Sequence, residues 1–395
     1  MRIPRRVPAL VLAAGTALAL LPPPPADAWS PQCAPDAAGY ERAGAAAVGL
    51  DADALRDAVD YWVNEGAESL KVFRHGCLVA EGTLDPAVER IPRQNWSQTK
   101  TISALVAGVA VRRGVIDVDD PIGKHLPPGI GDAEHRAITV RHILTMTTGL
   151  ELRPMFAMAL NADLIGPQDA MAIRMRHRPG EYFEYDQNAA SLLNWVVESA
   201  LRRAGVAPNF LTFARDEFFT PLGIPADAYV WQTDRAGTPM THANLHLRPL
   251  EFGRIGDLMR RQGLVGDRRL IDAEYLEMLR TGTTANCGYG FMTWLNGCTG
   301  NQRQVNASII TRREIRPARS WIASAPADMY YTWGAHGQHV FVIPSLDLVI
   351  TRAGERSPDN SSDTAKLDEN LIWNGSQKAG YEEFFRRLMI AVRAS

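Results

Sequence analysis

The sequence predicts an α+β fold: an antiparallel sheet flanked by helices, with a mainly helical region inserted. Three observations carry this expectation. Strand-like runs gather towards both ends of the chain, residues 119–248 read as helices and loops, and a helix near residue 100 has almost no polar face. Strands at both ends with helices between them imply one sheet built from both termini.

The elements follow in order. Residues 51–64 place Leu55, Val59 and Trp62 on one helical face. Residues 69–73 and Cys77–Glu81 are apolar-rich runs split by Arg74-His75-Gly76, a strand, turn, strand signature. Residues 96–113 repeat Ile102, Leu105, Val106 and Val109 at helical spacing, with Gly114 as a stop signal. So thin a polar side predicts a helix buried in the middle of the fold. Residues 140–146 form a short helix behind a Thr139 cap. Residues 191–204 and 249–262 read as amphipathic helices, and 289–296 as a strand. His339–Ile343 and residues 348–351 form a hairpin across Pro344-Ser345-Leu346-Asp347, and 381–392 closes the chain as a helix. Residues 299–325 fit neither pattern and read as a long loop.

The chain has 395 residues, 46% hydrophobic and 22% charged, with a formal net charge of -2. That composition excludes collagen-like, disordered and multi-span membrane chains. Near-neutral charge also argues against nucleic acid as a partner, since no basic excess exists to neutralise phosphates. Of the 42 basic residues, five are Lys (Lys71, Lys100, Lys124, Lys366, Lys378) and the other 37 are Arg. Where chemistry needs an amine, the candidates are few.

The first 28 residues carry Arg2, Arg5 and Arg6, then an apolar stretch, four prolines and Ala26-Asp27-Ala28. Basic start, short apolar run and small-x-small end describe a secretory signal peptide, with an uncleaved anchor as the alternative. Residues 29–395 would then be a single catalytic unit in a secreted or periplasmic protein, with no stable membrane insertion after cleavage. Its sheet part is expected at about 50–118 and 249–395, and its helical part at about 119–248. Cys33, Cys77, Cys287 and Cys298 suggest two disulfides in an oxidising compartment. Local pairing is simplest, but a straight strand over 289–296 would hold Cys287 and Cys298 too far apart to bond. The connectivity stays open among three.

The chemistry centres on Ser97-Gln98-Thr99-Lys100. A serine hydroxyl is a poor nucleophile until a base takes its proton. A Lys three residues on lies one turn away on the same face. Burial there lowers the amine's pKa, so that a neutral amine can accept the proton. At a helix start the serine N–H is also free to bind an oxyanion. The alternative is an ordinary capped helix with a solvated Lys.

Trp96-Ser97-x-x-Lys100, followed by ITVRHILTMTTGL (138–150), PGEYFEYDQNAASLLNWVVE (179–198), FFTPLGI (218–224) and WGAHGQHVFVIPSLDLVIT (333–351), resembles the serine β-lactamase-like superfamily. That group includes class C β-lactamases, D,D-peptidases, carboxylesterases and 6-aminohexanoate-dimer hydrolases. The resemblance covers about residues 50–393 and implies a β-lactamase/transpeptidase-like fold. It implies that Ser97 is acylated, that Lys100 takes its proton, and that Tyr185, as phenolate or hydrogen-bond relay, passes a proton to the leaving group. The oxyanion hole would be the N–H groups of Ser97 and of Ala335, on a strand after Gly334. Gln187, Trp333, Gly334 and His336 are the expected substrate-side positions. His336 is either a substrate contact or a strand histidine packed beside the site.

Two departures matter. Gln187 stands where the family's second motif has Asn, with Asn188 next door. The third motif, usually Lys-Thr-Gly in β-lactamases, reads Thr332-Trp333-Gly334. The Lys that would meet a β-lactam carboxylate is absent, which argues against that activity. Gly334-Ala335-His336-Gly337-Gln338 is closer to the 6-aminohexanoate-dimer hydrolase and carboxylesterase branch. The expected activity is therefore hydrolysis of a small ester or amide. A β-lactamase or D,D-carboxypeptidase, and a catalytically degenerate cell-wall or partner-binding homologue, are the alternatives. No Gly-x-Ser-x-Gly elbow exists. His242 and His246 have zinc-pair spacing, but their segment does not read as helical and holds no Glu between them. No metal or cofactor is expected. The apolar run 154–160 is either a buried helical turn or a lid over an apolar group.

Overall fold

The computed structural model describes residues 32–36, 39–151, 167–234, 237–298, 306–307, 314–315, 320–354 and 376–393. The signal region, the apolar run 154–160 and most of the expected loop at 299–325 lie outside them.

The main sheet is antiparallel and six-stranded. Its strands are β1 (Ser69–Arg74), β2 (Cys77–Glu81), β3 (Trp294–Leu295), β4 (Tyr330–Tyr331), β5 (His339–Ile343) and β6 (Leu348–Ala353). They lie in the order β3-β4-β5-β6-β1-β2. An interior pairing joins β1 to β6, so both ends of the chain close one sheet, as the sequence pattern implies. Alternation along the strands gives the sheet two buried faces. One is covered by α1 (Ala52–Asn64) and by a helix at Ser376–Arg393. There Trp62 stacks on Phe384 with ring centroids 3.6 Å apart and also meets Phe341. The other face carries a helix at Pro249–Arg260. Its Gly256 permits close approach, because a Cβ there would lie 2.4 Å from Val349 Cγ1.

The helix expected near residue 100 is α2 (Gln98–Arg112), and it is buried from Gln98 through Ala110. The short helix behind Thr139 is α3 (Val140–Leu144), closed by a capping box with His142. The helix α4 (Gln187–Arg203) begins four residues before its apolar periodicity announces it, because Asp186 caps it by accepting from the N–H groups of Asn188 and Ala189. In chain order the two helices already described, at Pro249–Arg260 and Ser376–Arg393, are α5 and α6. A small sheet of Arg93–Gln94, Leu245–Leu247 and Tyr229–Trp231 lays residues 242–247 against the entry to α2, with Asn95 N–H donating to Leu245 O at 2.8 Å.

Residues 289–296 are not one straight strand. Only Trp294–Leu295 is regular, and the chain doubles back so that Tyr289 bridges Trp294. Met292 takes a left-handed backbone at the tip (φ 47°). Its N–H donates to Leu144 O and its carbonyl accepts from Thr101 Oγ1. The fold-back removes the objection to local pairing. Cys287 and Cys298 are disulfide-bonded with Cα atoms 5.2 Å apart, and so are Cys33 and Cys77 at 4.7 Å.

Candidate active site

Ser97 sits at the N-terminal boundary of α2, half-buried, and its side chain makes no capping bond. The hydroxyl is thus not spent on the helix. Lys100 lies one turn on and is only 1% exposed. Its Nζ is 3.1 Å from Ser97 Oγ, 2.6 Å from Gln187 Oε1 and 2.7 Å from His242 O. Gln187 Oε1 and the carbonyl can only accept, so they take two N–H bonds from the amine. A neutral amine has two, which leaves its lone pair for the Ser97 hydroxyl proton. Desolvation lowers the Lys100 pKa to about 7, while the charge of Asp186 acts in the opposite sense. Lys100 is therefore a base suited to neutral pH.

Tyr185 comes from the segment just ahead of α4. Its ring centroid lies 4.9 Å from Lys100 Nζ, and its hydroxyl hydrogen-bonds Ser97. Trp294 and Tyr289 flank it at centroid distances of 5.4 and 6.1 Å. Burial pushes its phenol above the ordinary range, only partly offset by the Ser97 bond. Of the two roles expected of Tyr185, phenolate or hydrogen-bond relay, burial favours the relay. Tyr185 can act as a neutral hydrogen-bond relay.

The third-motif segment reaches the site at the end of β4. Thr332 is fully buried, and its Oγ1 accepts from Gln98 Nε2 at 3.0 Å and from the Val340 N–H at 2.8 Å. Trp333 packs into an aromatic cluster with Trp321, His339 and Tyr381. A Cβ at Gly334 would sit 2.2 Å from Asn95 O, so only glycine lets this segment lie against the residues leading into Ser97. Ala335 is not on a strand, as expected, but opens a tight turn, Ala335–Gly337. Gly334 and Gln338 close that turn with reciprocal backbone bonds of 2.8 and 3.2 Å. Arg352, fully buried on β6, donates to Gly337 O at 2.8 Å and to His336 O at 3.4 Å. Among the described residues, neither the Ser97 nor the Ala335 N–H donates to another group. His336 is half-buried with a left-handed backbone (φ 61°), and its ring lies 5.1 Å from that of Trp96.

The structure thus brings Ser97, Lys100, Tyr185 and Gln187 into one contact network. Gln187 contacts the amine directly, whereas Asn188 turns to Asp186 with an Nδ2–Oδ1 distance of 3.3 Å. Sequence reasoning missed four contributors: Trp96, Asp186, the His242 carbonyl and Arg352. Asp186 carried a signal, a capping residue directly before α4; a backbone carbonyl carries none. His246 lies on the strand Leu245–Leu247, and among the described residues no group of three or more His, Cys, Asp or Glu could hold a metal ion. No described helix is long and apolar enough to cross a membrane.

This fold, with a half-buried serine, a buried lysine one turn on and a tyrosine beside them, defines a class of protein that known families can be compared with. The family model described as Beta-lactamase matches residues 72–371, and the chain belongs to that family. A protein from Bacillus anthracis assigned as a 6-aminohexanoate-dimer hydrolase superposes with a TM-score of 0.59 at 13% identity, covering 79% of both chains. A family VIII carboxylesterase superposes with a TM-score of 0.57 at 13% identity, covering 85% of this chain and 97% of that one. Identities this low establish the fold. Monacolin J acid methylbutanoyltransferase from Aspergillus terreus is 27% identical over 216 residues, 49% of this chain and 48% of the relative. The chain spans about half the length of the curated relatives it matches.

Proposed function

We propose that the protein is a secreted serine hydrolase that cleaves small esters or amides through a Ser97 acyl-enzyme. The observation that carries this is the buried Lys100 amine, which meets only neutral oxygens and lies 3.1 Å from Ser97 Oγ. Ser97 Oγ attacks the carbonyl carbon as its proton passes to Lys100 Nζ. The carbonyl oxygen takes the negative charge and accepts from the N–H groups of Ser97 and Ala335. Collapse breaks the bond to the leaving group, which takes the proton from Lys100 through the Tyr185 hydroxyl. Water then attacks the acyl-enzyme as Lys100 Nζ takes its proton; collapse breaks the ester bond to Ser97 Oγ, which takes that proton back, and the acid leaves with Ser97 and neutral Lys100 restored.

Thr332 weighs against a β-lactamase or D,D-carboxypeptidase. It stands where the family's Lys would meet a carboxylate, and its hydroxyl is already engaged. The contact network weighs against a degenerate homologue. Release of the acyl group to an alcohol in place of water is the second reading, favoured by the acyltransferase among the relatives. Secretion rests on the first 28 residues and agrees with two disulfides.

The test is a fluorophosphonate probe and a p-nitrophenyl ester panel, applied to the protein and to Ser97→Ala, with a chromogenic cephalosporin in parallel. Labelling and turnover should both require Ser97. Their absence in the unaltered protein sinks the hydrolase reading, and fast Ser97-dependent opening of the cephalosporin would favour the β-lactamase.

A further inference from the structure

Two aromatic groups adjoin the site, and the mechanism uses one. Tyr185 stands against Tyr289 and Trp294. Trp96, directly before Ser97 in the chain, stands against His336. Among the described residues Trp96 is the one exposed tryptophan, 37% open, although it directly precedes the nucleophile. It has a left-handed backbone (φ 49°), as does His336 (φ 61°). A bulky residue in that conformation is strained and persists where the surroundings over-determine it. Here they do: Gly334 lies against Asn95 O, and Arg352 holds the carbonyls of His336 and Gly337.

The pair also sits at the two proposed oxyanion donors. Trp96 precedes Ser97, and His336 follows Ala335. A carbonyl oxygen held between those N–H groups fixes the other two substituents of the carbonyl carbon. The leaving group must face Tyr185 and Lys100, from which it takes its proton. The acyl group then points away from Tyr185, and the residues next in the chain to both donors, Trp96 and His336, are the candidates to meet it.

We propose that Trp96, backed by His336, is the specificity-determining face of an acyl subsite that takes flat, aryl-bearing acyl groups by stacking. The inference rests on the hydrolase reading for its direction, since the site of leaving-group protonation separates acyl side from leaving-group side. An open indole face gains dispersion and quadrupole attraction from a planar ring that a short alkyl group cannot supply. His336 restricts how the indole turns, so the face is set before substrate arrives.

The experiment compares p-nitrophenyl phenylacetate with p-nitrophenyl acetate, which share a leaving group and differ in the ring to be stacked. Trp96→Ala should lose about tenfold in kcat/KM on the phenylacetate, mostly through KM, and less than about twofold on the acetate. Trp96→Phe should restore most of the difference. An equal loss on both esters would overturn the proposal and make Trp96 a clasp for the oxyanion turn only; no loss on either would also overturn it. If neither ester turns over in the unaltered protein, the hydrolase reading fails by itself. Calorimetry then decides Trp96 separately, with 2-phenylacetamide as the probe and Ser97→Ala as background. Binding weakened about tenfold by a further Trp96→Ala supports the aryl subsite, and unchanged or absent binding overturns it.

Discussion

Lys71 and Lys100 are equally buried, each 1% exposed, and their surroundings are opposite. Lys71 lies on β1 among carboxylates: it pairs with Asp85, with Glu89 at 2.8 Å and with Glu81 at 3.7 Å. Asp85 in turn accepts from Ser69 Oγ and from the N–H groups of Leu70 and Gly82. Lys100 meets a hydroxyl, an amide oxygen and a backbone carbonyl. The first environment matches a positive charge and fixes strand β1 to the segment after β2. The second satisfies the amine without matching its charge, and the pKa falls to about 7. Burial alone does not make a lysine a base; burial among neutral acceptors does.

The contrast can be broken most severely at Lys100. Lys100→Arg keeps the charge and removes the base, since a guanidinium does not deprotonate in the working range. Ser97-dependent ester turnover should fall by about 10³-fold or more, and a stopped assay with a fluorescent ester measures it. Retained turnover would show that another group takes the proton.

Next comes Lys71→Met, which leaves buried Asp85 and half-buried Glu89 without their cation. Unfolding by urea should show a loss of about 3–5 kcal/mol, while kcat per folded molecule stays unchanged. A loss of turnover with intact stability would contradict the assignment of Lys71 to structure.

Gln187→Glu sharpens the comparison by giving Lys100 a carboxylate of its own. The unaltered protein should lose kcat/KM about tenfold per pH unit below about 7, as Lys100 protonates. A carboxylate favours the charged amine and raises its pKa, so the acid limb should move to higher pH. Activity at pH 7 should drop about 10- to 100-fold and recover near pH 9. An unmoved limb would mean that Lys100 does not set the profile.

The smallest effect is a gain. Folding at pH 7 must strip a proton from Lys100 or bury it charged, so the unfolded chain binds more protons between pH 7 and 10.5. Stability therefore rises with pH across that window. Lys100→Met removes the penalty and should stabilise by about 1–2 kcal/mol at pH 7, after the loss of bonds to Gln187 and His242. The gain should be constant below pH 7, shrink by about 1.4 kcal/mol per pH unit above it, and turn into a loss before pH 10. Parallel urea curves at pH 6.5 and 10 measure it.

How much of this was legible follows from where each signal resides. Ser97 and Lys100 lie on one turn of one helix, so spacing alone brought them together. The four long strands of the sheet were legible because they are apolar-rich and bounded by turn residues, whereas the two-residue β4 was not read at all. Two boundaries were not legible. α4 begins at polar Gln187 because the Asp186 side chain holds its first turn, and apolar periodicity starts later. The fold-back at 289–296 turns at Met292, a residue type that announces no turn. Gly290 stands there for a different reason, since a Cβ would lie 2.1 Å from Leu279 O. The hairpin is specified from outside by Cys287–Cys298 and by backbone bonds to Leu144 and Thr101. The partners of Lys100 were equally hidden, because Gln187 and His242 are brought in by α4 and by the small sheet.

The pairing of β1 with β6 governs the order in which this chain can fold. Its hydrogen bonds join residues ~280 positions apart, a loop-closure cost that is met only when almost the whole polypeptide exists. Until β6 is made, β1 lacks its inner neighbour in the sheet. The N-terminal strands therefore have no complete sheet to join while the chain is being made. The topology that closes one sheet from both ends thus also delays the surroundings of Ser97 and Lys100 until the last strand arrives.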